Sequence, residues 1–300
     1  MKNDFDNFPS YFSDAVGKNI ISPLKQRLDS LHIYYKETNR FKSVESLKNK
    51  ISKKIEHNPD YLMQDVFGCR FIFYFRDDVE LCESLINSIY TVDSISKNES
   101  TNIEEFSPER LNYVCKLPID HQIDESIFSN YSIDKTFEIQ LRTIFSEGWL
   151  EVEHDLRYKE KESPDSSWNK YKDLTRVLIG LSATLQNCDW TMLSLLDKMA
   201  YTNYKNSEWN YMIKNKFHLQ ITDHSIDSEI ADFLSKNKEI AKRIFRSNRK
   251  KILNAYPSGI PMNINNLVYV TCLEEGIETD FKIPIPIKNQ YEEFKITHDR

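Results

Sequence analysis

Thr136-Phe137-Glu138-Ile139-Gln140-Leu141-Arg142 is the stretch that decides the fold. It alternates without interruption: Phe137, Ile139 and Leu141 fall on one side, Glu138, Gln140 and Arg142 on the other. A period of two is what a strand with one buried face gives. Working outward, Arg70-Phe71-Ile72-Phe73-Tyr74-Phe75 is short, aromatic and β-rich, as in a buried central strand. Asn112 to Leu117 reads as another strand, stopped by Pro118. Helical patterns lie between and around these runs. Residues 11–39 predict an amphipathic helix, with Ile20, Leu24, Leu28, Leu31 and Tyr35 near helical spacing. Arg40-Phe41-Lys42 reads as extended, and Ser43 caps a helix from Val44 to Ile55. A further helix is expected over Val79–Tyr90, a polar loop over 93–107, and helices over Ile144–Lys159 and 172–199. The class is α/β (α+β), a mixed β-sheet of about five strands covered by helices.

The 300 residues suffice for one large domain or two modest ones. A composition shift near 203–210 divides the chain into 1–205, with the sheet, and 206–300, a small C-terminal accessory region. In the latter, helix is expected near 227–253 and strands at Leu267–Cys272 and Phe281–Ile285. With only 6 Gly, long Gly-rich phosphate loops are not expected, and a net charge of −6 argues against generic nucleic-acid binding by the whole chain. The 5 cysteines are dispersed and never form a CxxC pair, which fits a reducing cytoplasmic setting rather than a disulfide framework or a zinc site. The N-terminus is acidic and lacks an apolar signal region. The most apolar stretch, Leu174–Leu196, is too polar to span a bilayer, so no membrane association is expected.

The polar residues carry the chemistry. Arg40 and Lys42 lie two apart on an extended piece and can point at one ligand. Lys50 follows on the next helix. Asp65 precedes Gly68, which is read as a tight turn into the strand at Arg70. Glu138, Gln140 and Arg142 share one strand face. On the helix after it, Glu147, Glu151, His154 and Tyr158 form one stripe, and Lys159 follows. Two carboxylates among many cations suit a magnesium-bound polyphosphate, because Mg²⁺ takes one or two carboxylates plus phosphate oxygens. Cations then neutralise charge on the transferred group. Singly, each of these residues is more often ordinary surface or a satisfied structural group. The joint pattern carries the reading.

The blocks RFKSVESLKNK (40–50), DVFGCRFIFYF (65–75), FEIQLRT (137–143) and EVEHDLRYK (151–159) resemble, in order and spacing, the RelA/SpoT-type synthetases, the small alarmone synthetase family of pyrophosphokinases. The resemblance implies a nucleotidyltransferase-like synthetase fold and an ATP-dependent transfer of the β,γ-diphosphate to a ribose 3′-hydroxyl. It implies that Arg40, Lys42, Lys50 and Arg70 hold ATP and its phosphates. Asp65 and Glu138 would bind Mg²⁺, Glu138 also taking the hydroxyl proton. Gln140, Arg142, His154 and Lys159 would line the donor–acceptor junction.

One block departs. The family carries a Gly-Tyr-x-Ser-x-His stretch before a strand, its tyrosine stacking on the acceptor's guanine. Here the equivalent is Ser107-Pro108-Glu109-Arg110-Leu111-Asn112, and Pro108 offers no π face. Three readings stand: an acceptor other than a guanosine nucleotide, read by Arg110 and Asn112; stacking by Phe106 or Tyr113 from another angle; or an acceptor site without function. Downstream, Lys236 to Lys251 holds 8 basic residues and 1 acidic one. It reads as a helix with Ile240, Ile244 and Phe245 inward. Its cations are a solvated face, a tRNA contact through Lys242, Arg243, Arg246 and Arg249, or a regulatory or partner-binding surface. No hydrolase half is visible in the sequence, so by analogy a growth-arresting toxin or phage-defence effector with an antitoxin or regulator is expected. A catalytically silent nucleotide-binding sensor on the same fold is the alternative.

Overall fold

A computed structural model describes residues 14–97, 110–118, 128, 131–153, 172–222 and 225–298. The chain divides into two compact units. The first comprises Met1–Lys25, Tyr35–Tyr74 and Ile86–Cys188, the second Gln26–Tyr34, Phe75–Leu85 and Asp189–Arg300. Among the described residues no helix is long and apolar enough to cross a membrane.

The elements run α1 (Asp14–Ser30), β1 (Tyr35–Phe41), α2 (Val44–Ile55), β2 (Phe67–Phe73), α3 (Arg76–Ile89), β3 (Val92–Lys97), β4 (Leu111–Lys116) and β5 (Thr136–Thr143). Then come α4 (described over Ile144–Glu153), α5 (Lys172–Asn206), α6 (Trp209–Phe217), α7 (Ser228–Lys236), α8 (Lys238–Arg246), α9 (Arg249–Asn254), α10 (Ile264–Glu274) and α11 (Ile285–His298). The first unit holds one mixed five-stranded sheet in the order β1-β2-β5-β4-β3, as the sequence predicts, with β2 and β5 parallel and the other pairs antiparallel.

The alternation of β5 sets what each face does. Phe67, Phe71, Phe137, Ile139 and Tyr113 are buried on the apolar face. Phe41 stacks on Phe67 at 4.7 Å between ring centroids. The first turns of α1 close over this face. A Cβ on Gly17 would come within 2.5 Å of the Phe67 ring, so the helix backbone lies directly on it. Tyr90 donates its hydroxyl hydrogen to the Ile20 carbonyl at 2.9 Å and satisfies its polar end within that layer. Helix α2 starts where expected. The Ser43 hydroxyl accepts from the Ser46 amide at 3.2 Å, and Leu47 and Ile51 pack on Met63, Val66, Tyr131 and Ile133.

Several elements differ from the sequence reading, each for a physical reason. The first helix stops at Ser30 rather than running to 39, because His32 takes a left-handed φ of 54° that ends it. Residues 93–97, expected as loop, belong to β3 (Val92–Lys97). It is an edge strand bonded to β4, and its polar sequence buries no apolar row. Gly68 makes no turn but lies inside β2, opposite Arg40 and Glu138. Leu267–Cys272 is helix, not strand: Asn263 caps α10 through a bond from the Asn266 amide, and Ile264, Leu267, Val268, Tyr269, Val270, Thr271 and Cys272 are all buried. Burial on every side overrides the β-preference of Val-Tyr-Val. Phe281–Ile285 is likewise not a strand.

The expected helix over 227–253 is three short ones, α7, α8 and α9, broken at Asn237 and at Ser247-Asn248, where Asn248 caps α9 from the Lys251 amide at 3.0 Å. In the basic run, Ile244 is buried while Ile240 and Phe245 are half-buried. Arg249 does not point outward; it is 7% exposed and bound to carboxylates, which removes it from the expected tRNA contacts. Lys251 pairs with Glu274 at 3.2 Å, while Arg243 and Arg246 are exposed.

Replacing Gly17 with Leu forces a side chain into the Phe67 ring. Overpacking of this kind lowers stability by about 1–3 kcal/mol; urea unfolding of the variant will show a lower midpoint at unchanged slope.

Candidate functional site

The polar face of the sheet carries a cleft of about 290 Å³ lined by residues of β1 and the turn after it, β2 and the segment before it, β5 and α4. Arg40, Lys42, Asp65, Arg70, Glu138 and Gln140 all line it, so six of the residues picked out in the sequence do meet at one place. The register explains how. Arg40, Gly68 and Glu138 lie side by side across β1, β2 and β5, and Thr38, Arg70, Gln140 and Asn112 form the adjoining row. Side chains in such rows share a face. Gly68 leaves the place between Arg40 and Glu138 without a side chain, and a Cβ there would meet nothing within 4 Å.

At one end, Asp65 is gripped by two lysines. Lys42 Nζ lies 2.5 Å from Asp65 Oδ2 and 2.9 Å from the Asp65 carbonyl, while Lys50 Nζ reaches Oδ2 at 2.8 Å and Oδ1 at 3.1 Å. Burial by itself raises the Asp65 pKa, but the bonds and charges of Lys42 and Lys50 outweigh it and hold the carboxyl below its ordinary value. Burial pushes the Lys42 ammonium down, the nearby Lys50 charge adds to this, and Asp65 offsets part of it.

At the centre, Glu138 receives two amide donors: Asn112 Nδ2 to Oε1 at 2.9 Å, and Gln140 Nε2 to Oε2 at 2.7 Å. Arg142 Nη2 donates to Asn112 Oδ1 at 2.7 Å, and Arg70 Nε donates to Gln140 Oε1 at 3.0 Å. Each arginine occupies the amide oxygen, so each amide turns its NH₂ toward Glu138. Arg70 Nη1 in turn lies 2.5 Å from Glu147 and 2.7 Å from Glu151. Burial lowers the Arg70 pKa, and the two carboxylates more than reverse that.

Arg142 is an anchor rather than a ligand contact: it is 5% exposed and donates from Nη1 to the Leu111 and Leu141 carbonyls at 3.0 and 2.7 Å. Burial brings its pKa down to about 10, which leaves it charged at neutral pH. Tyr113 faces the apolar side and is 3% exposed, so it cannot stack on an acceptor in the cleft. Arg110 is exposed at the start of β4. His154, Lys159, Phe106 and Pro108 lie outside the described residues. The sequence reading placed Glu147 and Glu151 on one helix stripe without assigning them to the site. Their spacing of four residues was the available signal.

A second polar cluster, in the other unit, was not foreseen. Asp77, Asp78 and His218 bring ligand atoms within 4.8 Å of one another. Arg249 already fills this centre, with Nη1 3.1 Å from Asp77 and Nη2 2.6 Å from Asp78, while His218 Nε2 lies 3.1 Å from Asp77. Burial works to raise Asp77, but Arg249 and His218 overcome it and hold its carboxyl at about 2. The positive charge that a metal would bring is supplied here by the guanidinium.

Fold and cleft together define a mixed-sheet α/β domain with the carboxylates of Asp65, Glu138 and Glu151 set among cations on its polar face. Residues 39–163 match the model of the region found in RelA / SpoT proteins, and that stretch holds every residue lining the cleft except Thr38. No curated protein matches the chain. Among solved structures, a GTP pyrophosphokinase family protein from Streptococcus pneumoniae is similar at 22% identity and a TM-score of 0.45, over 64% of this chain and 92% of that one. The small alarmone synthetase 1 from Bacillus subtilis is similar at 20% identity and a TM-score of 0.40, over 61% and 96%. The same enzyme bound to AMPCPP aligns at 20% identity and 0.36, over 61% and 96%. Scores at this level transfer neither a ligand nor a partner.

The depressed Asp65 pKa has a measurable consequence. A carboxyl held lower in the folded than in the unfolded state stabilises the fold above its unfolded pKa, about 4. That contribution is lost as pH falls through the folded value. The Tm gap between the wild type and Asp65→Asn will therefore be widest near neutrality and shrink below about pH 4. A gap independent of pH would show that the Lys42–Asp65–Lys50 contacts contribute nothing as ion pairs.

Proposed function

We propose that the chain is an ATP-dependent pyrophosphokinase whose cleft holds magnesium ATP and passes its β,γ-diphosphate to a ribose 3′-hydroxyl. The observation that carries this reading is the meeting of Arg40, Lys42 and Arg70 with Asp65 and Glu138 in one cleft of a RelA/SpoT region. Asp65 and Glu138 supply hard oxygen donors on that cleft, and this donor set fits Mg²⁺. They are the residues that would hold the ion, which when bound neutralises phosphate charge.

The protein's own residues account for the rest. Arg40 is exposed on β1 and lines the cleft, ready for a phosphate. Lys42 and Lys50 exchange Asp65 for phosphate oxygens when ligand enters. Arg70, steadied by Glu147, adds charge over the transferred group. The acceptor oxygen attacks the β-phosphorus, the bond from that phosphorus to the α,β-bridging oxygen breaks, and AMP departs with the bonding electrons. Glu138, whose two oxygens each accept one amide bond, keeps lone pairs to take the hydroxyl proton. Gln140 and Asn112 orient it. The acceptor is a nucleotide or the 3′ end of tRNA; for the latter, the exposed Arg243 and Arg246 with Lys242 offer a phosphate contact. A growth-arresting or phage-defence role goes with an enzyme of this kind acting without restraint.

A silent nucleotide-binding module is the competing reading. It is favoured by the closed pairing of Asp65 with both lysines, which must open before a metal can enter. Incubation with γ-labelled ATP and GDP, GTP, ATP or tRNA separates the two. We expect label on one acceptor, with Asp65→Asn and Glu138→Gln each slower by about 100-fold or more. An ATP analogue that binds while no acceptor is labelled would establish the silent module.

A further inference from the structure

The second unit encloses a cavity of about 620 Å³ that shares no lining residue with the Arg40–Glu138 cleft. It is the size of a small-molecule site. One wall is α5. Trp190, Ser194, Lys198 and Tyr201 line the cavity and recur at helical spacing, so they share one face of that helix. From Trp190 to Lys198 the helix rises roughly 12 Å, at 1.5 Å per residue. This wall of the cavity therefore carries an aromatic ring near each end, with Lys198 beside Asp197 between them.

Its chemistry is uneven in a way that suits a particular ligand. Trp190 is 53% exposed and Tyr201 48% exposed, so large aromatic surface is left open beside the cavity. The Arg76 guanidinium lies 5.2 Å from the Trp190 ring centroid, which orients the indole. Lys198 has no ion-pair partner among the described residues. Lys216 is held by Asp197 at a long 3.9 Å, with its side chain 17% exposed. Beneath them the buried Arg249 is fixed by Asp77, Asp78 and the Phe217 carbonyl, which it reaches at 2.9 Å. Such a floor is preorganised, so it adds little ordering cost on binding.

We propose that this cavity is a second ligand site that takes a planar aromatic anion, the ring against Trp190 and the negative group toward Lys198 and Lys216. Nucleoside monophosphates and aromatic carboxylates share this chemistry. The proposal stands apart from the pyrophosphokinase reading, since none of these residues lies in the RelA/SpoT region's cleft.

Calorimetric titration of the full chain with AMP, GMP and 4-hydroxybenzoate tests it. Measured in an Arg40→Glu background, which removes a phosphate contact of the other cleft, binding by any of these probes is expected to persist and to be weakened about tenfold or more by Lys198→Glu and by Trp190→Ala. Binding by the nucleotides identifies a nucleoside phosphate as the ligand class; binding by 4-hydroxybenzoate alone identifies a carboxylate. Both substituted side chains are solvent-exposed, and circular dichroism confirms that the variants fold. Absence of binding, or binding that survives both substitutions, overturns the proposal. So does binding lost in Arg40→Glu and retained in Lys198→Glu, because it belongs to the other cleft.

Discussion

Glu138 sits between two side-chain amides, and each amide is turned toward it by an arginine. The polar face depends on this arrangement. Hydrogen bonds to a charged group contribute about 1.5–3 kcal/mol each. Removing any member leaves a partly buried donor or acceptor without its complement, and that loss costs more than the bond itself. The chain of contacts joins β4, β5, β2 and α4, so the strand order and the position of the carboxylate are fixed by the same bonds. Arg142 is at the buried end and Arg70 at the open end. One therefore serves the sheet, while the other lines the cleft.

Much of this was legible in the sequence. The alternation from Phe137 to Arg142 fixed both the strand and the composition of its two faces, and Ser43 marked the start of α2 to the residue. Arg40, Lys42, Asp65, Arg70, Glu138 and Gln140 were identified together and do line one cleft. What misled was local chemistry that tertiary context overrides. Val268-Tyr269-Val270 has strand preference, yet complete burial around α10 makes it helical. Arg142 shares its strand face with Glu138 but lies under neighbouring carbonyls, which a period of two cannot reveal. Arg249 sat in a run of cations that reads as surface. Its partners, Asp77 and Asp78, are far away in sequence, and no local pattern announces them.

Two residues that the sequence offers for an acceptor contact have other roles in the sheet. Tyr113 is committed to the apolar face, so it leaves the set of residues able to stack on a base. Asn112 is committed to Glu138 and Arg142 through its two ends. Both ends of its amide are thus engaged within the sheet. Arg110, at the head of β4, is exposed.

Gly68 has a consequence for protein engineering. It is the second residue of β2, without a positive φ, and a Cβ built on it touches nothing. The backbone therefore tolerates other residues at this position, so its glycine is not explained by folding. What a side chain would do is fill the floor between Arg40 and Glu138. Position 68 is thus a dial on the volume of the cleft: graded substitution there narrows the site while leaving the sheet that supports it in register.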